Sequence, residues 1–228
     1  MSKSLMTDLL EAGVHFGHLT RKWNPKMKNY IYTARDDVHV IDLAITVEKL
    51  EEAKKAITEL VKDGKRPLFV GTKRQAAVVL ENIGNKNNIP FITQRWLGGL
   101  LTNFDSVKKT WARLNELEEM MSNEKEFAKL STRDQFMYKK EAMKLNKLVG
   151  GLKNLEETPG FLFVVDVKRE QTAIDEAKRV GLPIVALVDT NVDPSGVTYQ
   201  IPGNDDGVKS IEIVTEEIVK AIKAGMKK

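Results

Sequence analysis

The chain has 228 residues, of which 42% are hydrophobic and 30% charged, with 36 lysines and arginines against 32 acidic residues. That length suffices for one sizeable core, with or without a smaller satellite element, and the mild positive excess says little until the cations are located. Cysteine is absent, which excludes disulfides, thiolate metal sites and a cysteine nucleophile, and no apolar run approaches the roughly 20 residues that cross a bilayer.

The first residues, Met1 to Leu10, mix Lys3 and Asp8 with a few apolar side chains and lack the apolar stretch of a secretory signal. A cytosolic protein with no membrane partner is expected. Thr7 to Ala12 reads as a short helix, and Gly13 and Gly17 permit a tight chain path around Val14, His15 and Phe16. The run Arg21-Lys22-Trp23-Asn24-Pro25-Lys26-Met27-Lys28-Asn29-Tyr30 follows, uninterrupted by any acidic residue. Such a mixture suits RNA, because lysine and arginine neutralise phosphates while Trp23 and Tyr30 stack on bases or brace the loop. Arg21, Lys22, Trp23, Asn24, Lys26 and Lys28 are therefore RNA-binding candidates. The alternative for each aromatic is burial, and for the cations plain solvation. Further on, Glu51 and Glu52 lie on a helix among lysines and look like surface ion pairs.

A series of short apolar runs then alternates with helical patterns. Pro67 to Gly71 precedes a helix over Gln75 to Ile83; Ile89 to Ile92 follows; Phe161 to Val165 leads into a helix over Glu170 to Val180. Pro183 to Val188 and Val197 to Ile201 precede a last helix, Val208 to Ala224. Continuous apolar runs fit strands buried on both faces, which predicts a parallel sheet covered by helices, a doubly wound α/β core. Cations at the strand ends, Lys73, Arg74 and Arg95, are placed to hold phosphate oxygens. Gly71-Thr72-Lys73 lacks the spacing of a P-loop, and no G-x-G-x-x-G fingerprint is present.

The stretch from Asn103 to Leu155 interrupts this alternation. Val107, Trp111, Leu114, Leu117 and Met121 recur at spacings of three and four, as do Tyr138, Leu145, Leu148, Leu152 and Leu155 with Glu141 as one polar interruption. Two antiparallel helices packed along one seam and projecting from the core are expected, with capping boxes from Asn123 to Glu126 and Ser131 to Asp134. The domain division is then 1–102 with 156–228 as core and 103–155 as insertion. Lys108, Lys109, Arg113, Lys139 and Lys144 add RNA-binding candidates, with Lys140 and Lys147 nearby, although acidic neighbours make a solvated face the competing reading.

Catalytic candidates are poor. His15 and His18, three apart, are a conceivable metal pair to which Asp189, Asp193, Asp205 and Asp206 would add oxygen ligands; but the histidines do not form a metalloprotease pattern and the aspartates sit in ordinary turn sequences, so structural roles are expected and no metal. No Ser-His-Asp set is recognisable. The chain is expected to be no enzyme and to need no cofactor or small-molecule substrate; the competing class is a ligand-binding enzyme using the carboxyl ends of the strands.

Leu10 to His18 together with Arg21 to Met27 closely resembles the N-terminal signature of the bacterial small-subunit ribosomal protein S-two family. Phe69 to Arg74, Arg95 to Gly99, Leu101 to Asn103, Ile201 to Asp206 and the segment Pro159 to Pro183, with Asp166, Glu170, Ile174 and Glu176, look like further motifs of that family in the expected order. The resemblance implies a five-stranded parallel sheet of flavodoxin-like type with a protruding coiled-coil hairpin. It also implies a structural, ribosome-bound protein that joins late in assembly. Its place would be near the head–body junction of the small (30S) subunit, touching 16S ribosomal RNA and neighbouring proteins and helping to dock ribosomal protein S-one.

Overall fold

The computed structural model describes residues 2–226, and the side chains of 5–124 and 127–226. Its centre is a five-stranded parallel sheet of β4 (Pro67–Val70), β5 (Phe91–Ile92), β6 (Phe161–Val165), β7 (Ile184–Val188) and β8 (Tyr199–Pro202). The order across the sheet is β5-β4-β6-β7-β8, the flavodoxin-like arrangement in which the chain reverses direction between its first and third strands. Every residue of β4, β6 and β7 is buried, which explains why these strands read as unbroken apolar runs.

Alternate residues feed two cores. Phe69, Phe161, Phe163, Val165, Val185 and Leu187 face a layer containing α2 (Leu43–Lys62), α3 (Arg74–Asn87) and α8 (Val208–Met226), with Leu9 of α1 (Ser2–Glu11) at its rim. Leu68, Val70, Leu162, Val164, Ala186 and Val188 face the opposite layer, where Ala173, Ile174 and Ala177 of α7 (Gln171–Arg179) pack. Truncating any of these fully buried leucines or phenylalanines would cost about 2–5 kcal/mol through lost transfer energy and a residual cavity.

Between β5 and β6 the chain forms α4 (Phe104–Ser122), α5 (Glu124–Ala128) and α6 (Thr132–Val149). The helices break at Asn123 and Ser131, the first residues of the two expected capping boxes. Ser131 caps α6: its Oγ accepts from the Asp134 N–H at 3.2 Å and donates to the Asp134 carboxylate at 2.7 Å. The other expected box, Asn123 with Glu126, lies outside the described side chains. Trp111, Leu114 and Leu117 of α4 pack with Ala142 and Val149 of α6, and this seam is continuous with the second core. Glu141, the polar interruption, accepts from Arg113 Nε at 3.1 Å and so ties the two helices together. The helical pattern ends sooner than its apolar periodicity, since Leu152 sits in a 3₁₀ turn and Leu155 beyond it, both still buried in that core.

One element was not anticipated: β1 (Phe16–Leu19), β2 (Ile31–Arg35) and β3 (Val38–Ile41) form a separate antiparallel sheet in the order β1-β3-β2. Glu51 and Glu52 fall on the helix expected there, α2, which Asp42 caps by accepting from the Ala44 N–H at 2.8 Å. Among the described residues no helix is long and apolar enough to cross a membrane.

Candidate nucleic-acid interface

The N-terminal segment is laid against the carboxyl ends of the parallel strands. The Asn24 N–H donates to the Thr190 carbonyl at 2.8 Å, the His18 N–H to Thr190 Oγ1 at 2.9 Å, and the Asn204 N–H to the Val14 carbonyl at 3.0 Å. Gly17 is needed for that approach, because a Cβ there would meet Thr190 Cγ2 at 2.7 Å and the His39 carbonyl at 3.1 Å. Met27, embedded in the basic run, is fully buried and anchors it in the second core.

On this anchored loop Arg21, Lys22 and Lys28 are exposed, and among the described residues no carboxylate lies within ion-pair distance of them. Asn24 is engaged in capping the following turn through the Lys26 N–H. Lys26 is exposed but bonded to Asp193 at 2.6 Å and to Ser195 at 2.9 Å, contacts that hold the Asp193 carboxyl far below its ordinary range. Trp23 is about one-third exposed and tilts against His39 at 5.2 Å between ring centroids, while the Tyr30 hydroxyl donates to Gln200. Both aromatics thus brace the loop.

Two buried carboxylates shape the strand-end loops. Glu176 accepts from the Trp96 indole N–H at 3.0 Å and from the N–H groups of Gly99 and Leu101 at 2.8 and 3.1 Å. Burial alone would raise its carboxyl pKa, but these donors outweigh that and hold it below the ordinary value. Glu170 accepts from the Thr72 N–H and hydroxyl at 2.7 and 2.6 Å, and here burial wins and its pKa rises. The loops so fixed leave Arg74 and Arg95 exposed. Nothing in the sequence pattern announced Glu176 or Glu170 as loop anchors, since each looks like an ordinary helix glutamate.

Lys73 departs from the expected pattern. Its ammonium is mostly buried, 2.6 Å from Asp205, 2.7 Å from Asp206 and 3.5 Å from Asp166. Burial opposes its charge, yet these carboxylates overcome the penalty and raise its pKa. It follows the carboxyl end of β4, on the side of the sheet where doubly wound folds ordinarily take a ligand, and its charge is spent inside the protein. Asp166 adopts a left-handed backbone with φ of 68° to close this turn, accepting from the Arg169 N–H at 3.0 Å.

Beside Lys73, His18 lies 3.0 Å from Asp189 and 3.3 Å from Asp206. The hydrogen bond that His18 donates to Asp189 is the main cause that raises the His18 pKa, against burial. Asp205 is pushed up to about 7, first by burial and then by the charges of Asp189 and Asp166. His18, Asp189, Asp205 and Asp206 each offer an atom within 4.8 Å of the others, a donor set of one imidazole and three carboxylates that suits a divalent cation. Their convergence was invisible in the spacing; His15 and Asp193, the other candidates, are not part of the group.

On the insertion, Lys108 donates to the Glu156 carbonyl at 2.7 Å and Arg113 is paired with Glu116 and Glu141. Lys109, Lys139 and Lys144 are exposed, Lys139 with its ammonium 5.6 Å from the centroid of the Phe127 ring.

Residues 9–225 match the family model described as ribosomal protein S2. The chain belongs to that family. Relatives named small ribosomal subunit protein uS2 include those of Cytophaga hutchinsonii, 47% identical over 94% of this chain and 84% of the relative, and Dictyoglomus thermophilum, 47% identical over 99% and 91%. That of Bifidobacterium longum is 43% identical over 99% and 80%. The S2 family is structural, not enzymatic.

Proposed function

We propose that this chain is a structural constituent of the small ribosomal subunit, a cytoplasmic particle, where it holds 16S ribosomal RNA near the head–body junction and supports translation and late subunit assembly. The observation that carries the reading is the set of exposed cations without carboxylate partners, Arg21, Lys22 and Lys28, on a loop fastened to a rigid sheet. A phosphate approaching them meets uncompensated positive charge at fixed positions, so contact requires little reordering of the protein. Arg74 and Arg95 extend the same function from loops tied down by Glu170 and Glu176. Lys73, Lys108 and Arg113 contribute less, because their charges are already paired or donated within the protein.

Residues 103–155 act in this reading as an arm that widens the footprint on RNA, through cations such as Lys109, Lys139 and Lys144. Docking of ribosomal protein S-one is proposed on family membership alone. Replacing Arg21, Lys22 and Lys28 with alanine tests the main claim. The folded variant should co-sediment poorly with small subunits, and the slope of its log affinity for 16S ribosomal RNA against log salt should shrink by about 2–3. Unaltered incorporation and slope would sink the assignment.

A further inference from the structure

The two long helices of the insertion present stripes of opposite charge to solvent. On α4 the exposed residues Asp105, Lys109, Ala112, Glu116 and Glu119 recur at spacings of three and four and carry a net negative charge. On α6 the corresponding exposed stripe is Arg133, Met137, Lys140, Lys144 and Lys147, with no acidic residue in it. Both carboxylates of α6 are engaged, Asp134 by the Ser131 cap and Glu141 by Arg113. Among the described residues no carboxylate lies within ion-pair distance of Arg133, Lys140, Lys144 or Lys147, whereas Arg113 of α4 is paired on both sides. Phe136 and Met143 flank the basic stripe at 67% and 75% exposure, an unusual outlay of apolar surface for a helix face that is only solvated.

We propose that the exposed stripe of α6 is the part of the insertion that lies on ribosomal RNA, and that the α4 stripe stays off it. The proposal rests on the RNA-binding reading above and divides the insertion within it. Charge complementarity selects the occupant: four unpaired cations spread over about 21 Å of helix follow a phosphate backbone. Phe136 and Met143 then meet sugar and base surfaces that a purely electrostatic contact would leave wet. The α4 stripe, with Glu116 and Glu119 outward, would repel the same backbone.

Because the chain has no cysteine, Met143→Cys and Ala112→Cys each create a unique thiol for a photocrosslinker on the full-length protein. In assembled small subunits, the probe at 143 should crosslink to RNA and the probe at 112 should not. In parallel, the combined variant Arg133→Gln, Lys140→Gln, Lys144→Gln and Lys147→Gln should lower the salt slope for 16S ribosomal RNA by about 3, while Glu116→Gln with Glu119→Gln leaves it unreduced. All of these positions are exposed, and matching circular dichroism and melting curves establish that the fold is retained. A crosslink from 143 to protein alone, equal RNA crosslinks from both probes, or a wild-type slope in the α6 variant would overturn the proposal. A wild-type protein with no salt-dependent RNA affinity would instead remove the broader reading, so the two failures are distinguishable.

Discussion

The loop Arg21 to Lys28 and the cluster around Lys73 both place cations near the carboxyl ends of the parallel strands, to opposite effect. In the loop, buried Met27 and backbone hydrogen bonds to Thr190 do the anchoring, so Arg21, Lys22 and Lys28 remain free for an outside partner. Around Lys73 the anchoring is done by the cation itself, which joins Asp166 of one loop to Asp205 and Asp206 of another. The difference teaches that a cation's neighbours, not its position at a strand end, decide whether it recognises a partner or holds the protein together.

The sharpest way to break this contrast is Lys73→Ala. It leaves three carboxylates facing one another with only His18 nearby, and stability should fall by about 3–5 kcal/mol in urea unfolding. RNA affinity of the remaining folded protein should be close to normal. If instead the variant is as stable as the wild type and binds RNA as weakly as the loop variant, Lys73 belongs with the recognition cations. Next in size is Glu176→Gln, which exchanges one acceptor oxygen for a donor and strands part of the Trp96, Gly99 and Leu101 set, at about 1–3 kcal/mol. Amide exchange at Gly99 and Leu101 should quicken in that variant, and unchanged protection would show that the loop is held by other contacts.

Gly17→Ala probes the loop's fastening. The added methyl collides with Thr190, so a cost of about 1–2 kcal/mol and weaker RNA binding are expected together. Loss of stability with full RNA affinity would separate anchoring from recognition.

The smallest change concerns pH and is a slope. Asp205 has its folded pKa raised from 3.8 to about 7, so the stability from its protonated form is complete below about pH 4 and is lost as pH rises through about 7. His18, also raised, contributes in the same sense, its stabilisation being full below 6.5 and lost as pH climbs through its folded pKa. Stability in EDTA-containing buffer should therefore decline between about pH 5 and 8, and Asp205→Asn should flatten the decline. A rise over that interval in the wild type would contradict the charge arrangement described around Lys73.

The parallel strands were legible because burial on both faces leaves an unbroken apolar signature, as in Phe161 to Val165. The N-terminal sheet was not: Ile31 to Arg35 is exposed along nearly its whole length, and its pairing with Val38 to Ile41 carries a register shift, so neither burial nor alternation marked it. The site was half legible. Arg21, Lys22 and Lys28 stood out as cations of an acid-free run, but nothing in that run distinguished them from Lys26, whose partner Asp193 lies far along the chain. The commitment of Lys73 depended on aspartates far along the chain, and the anchoring by Glu170 and Glu176 on loops that return to one helix.

The left-handed turn at Asp166, tightened over the Lys73 ammonium, has a further consequence. In a fold that customarily keeps a vacancy at this point, the vacancy is closed by covalently attached groups that cannot diffuse away. The chain carries, in effect, a permanent counter-ion of its own making, beside the loop ends on which the N-terminal segment rests.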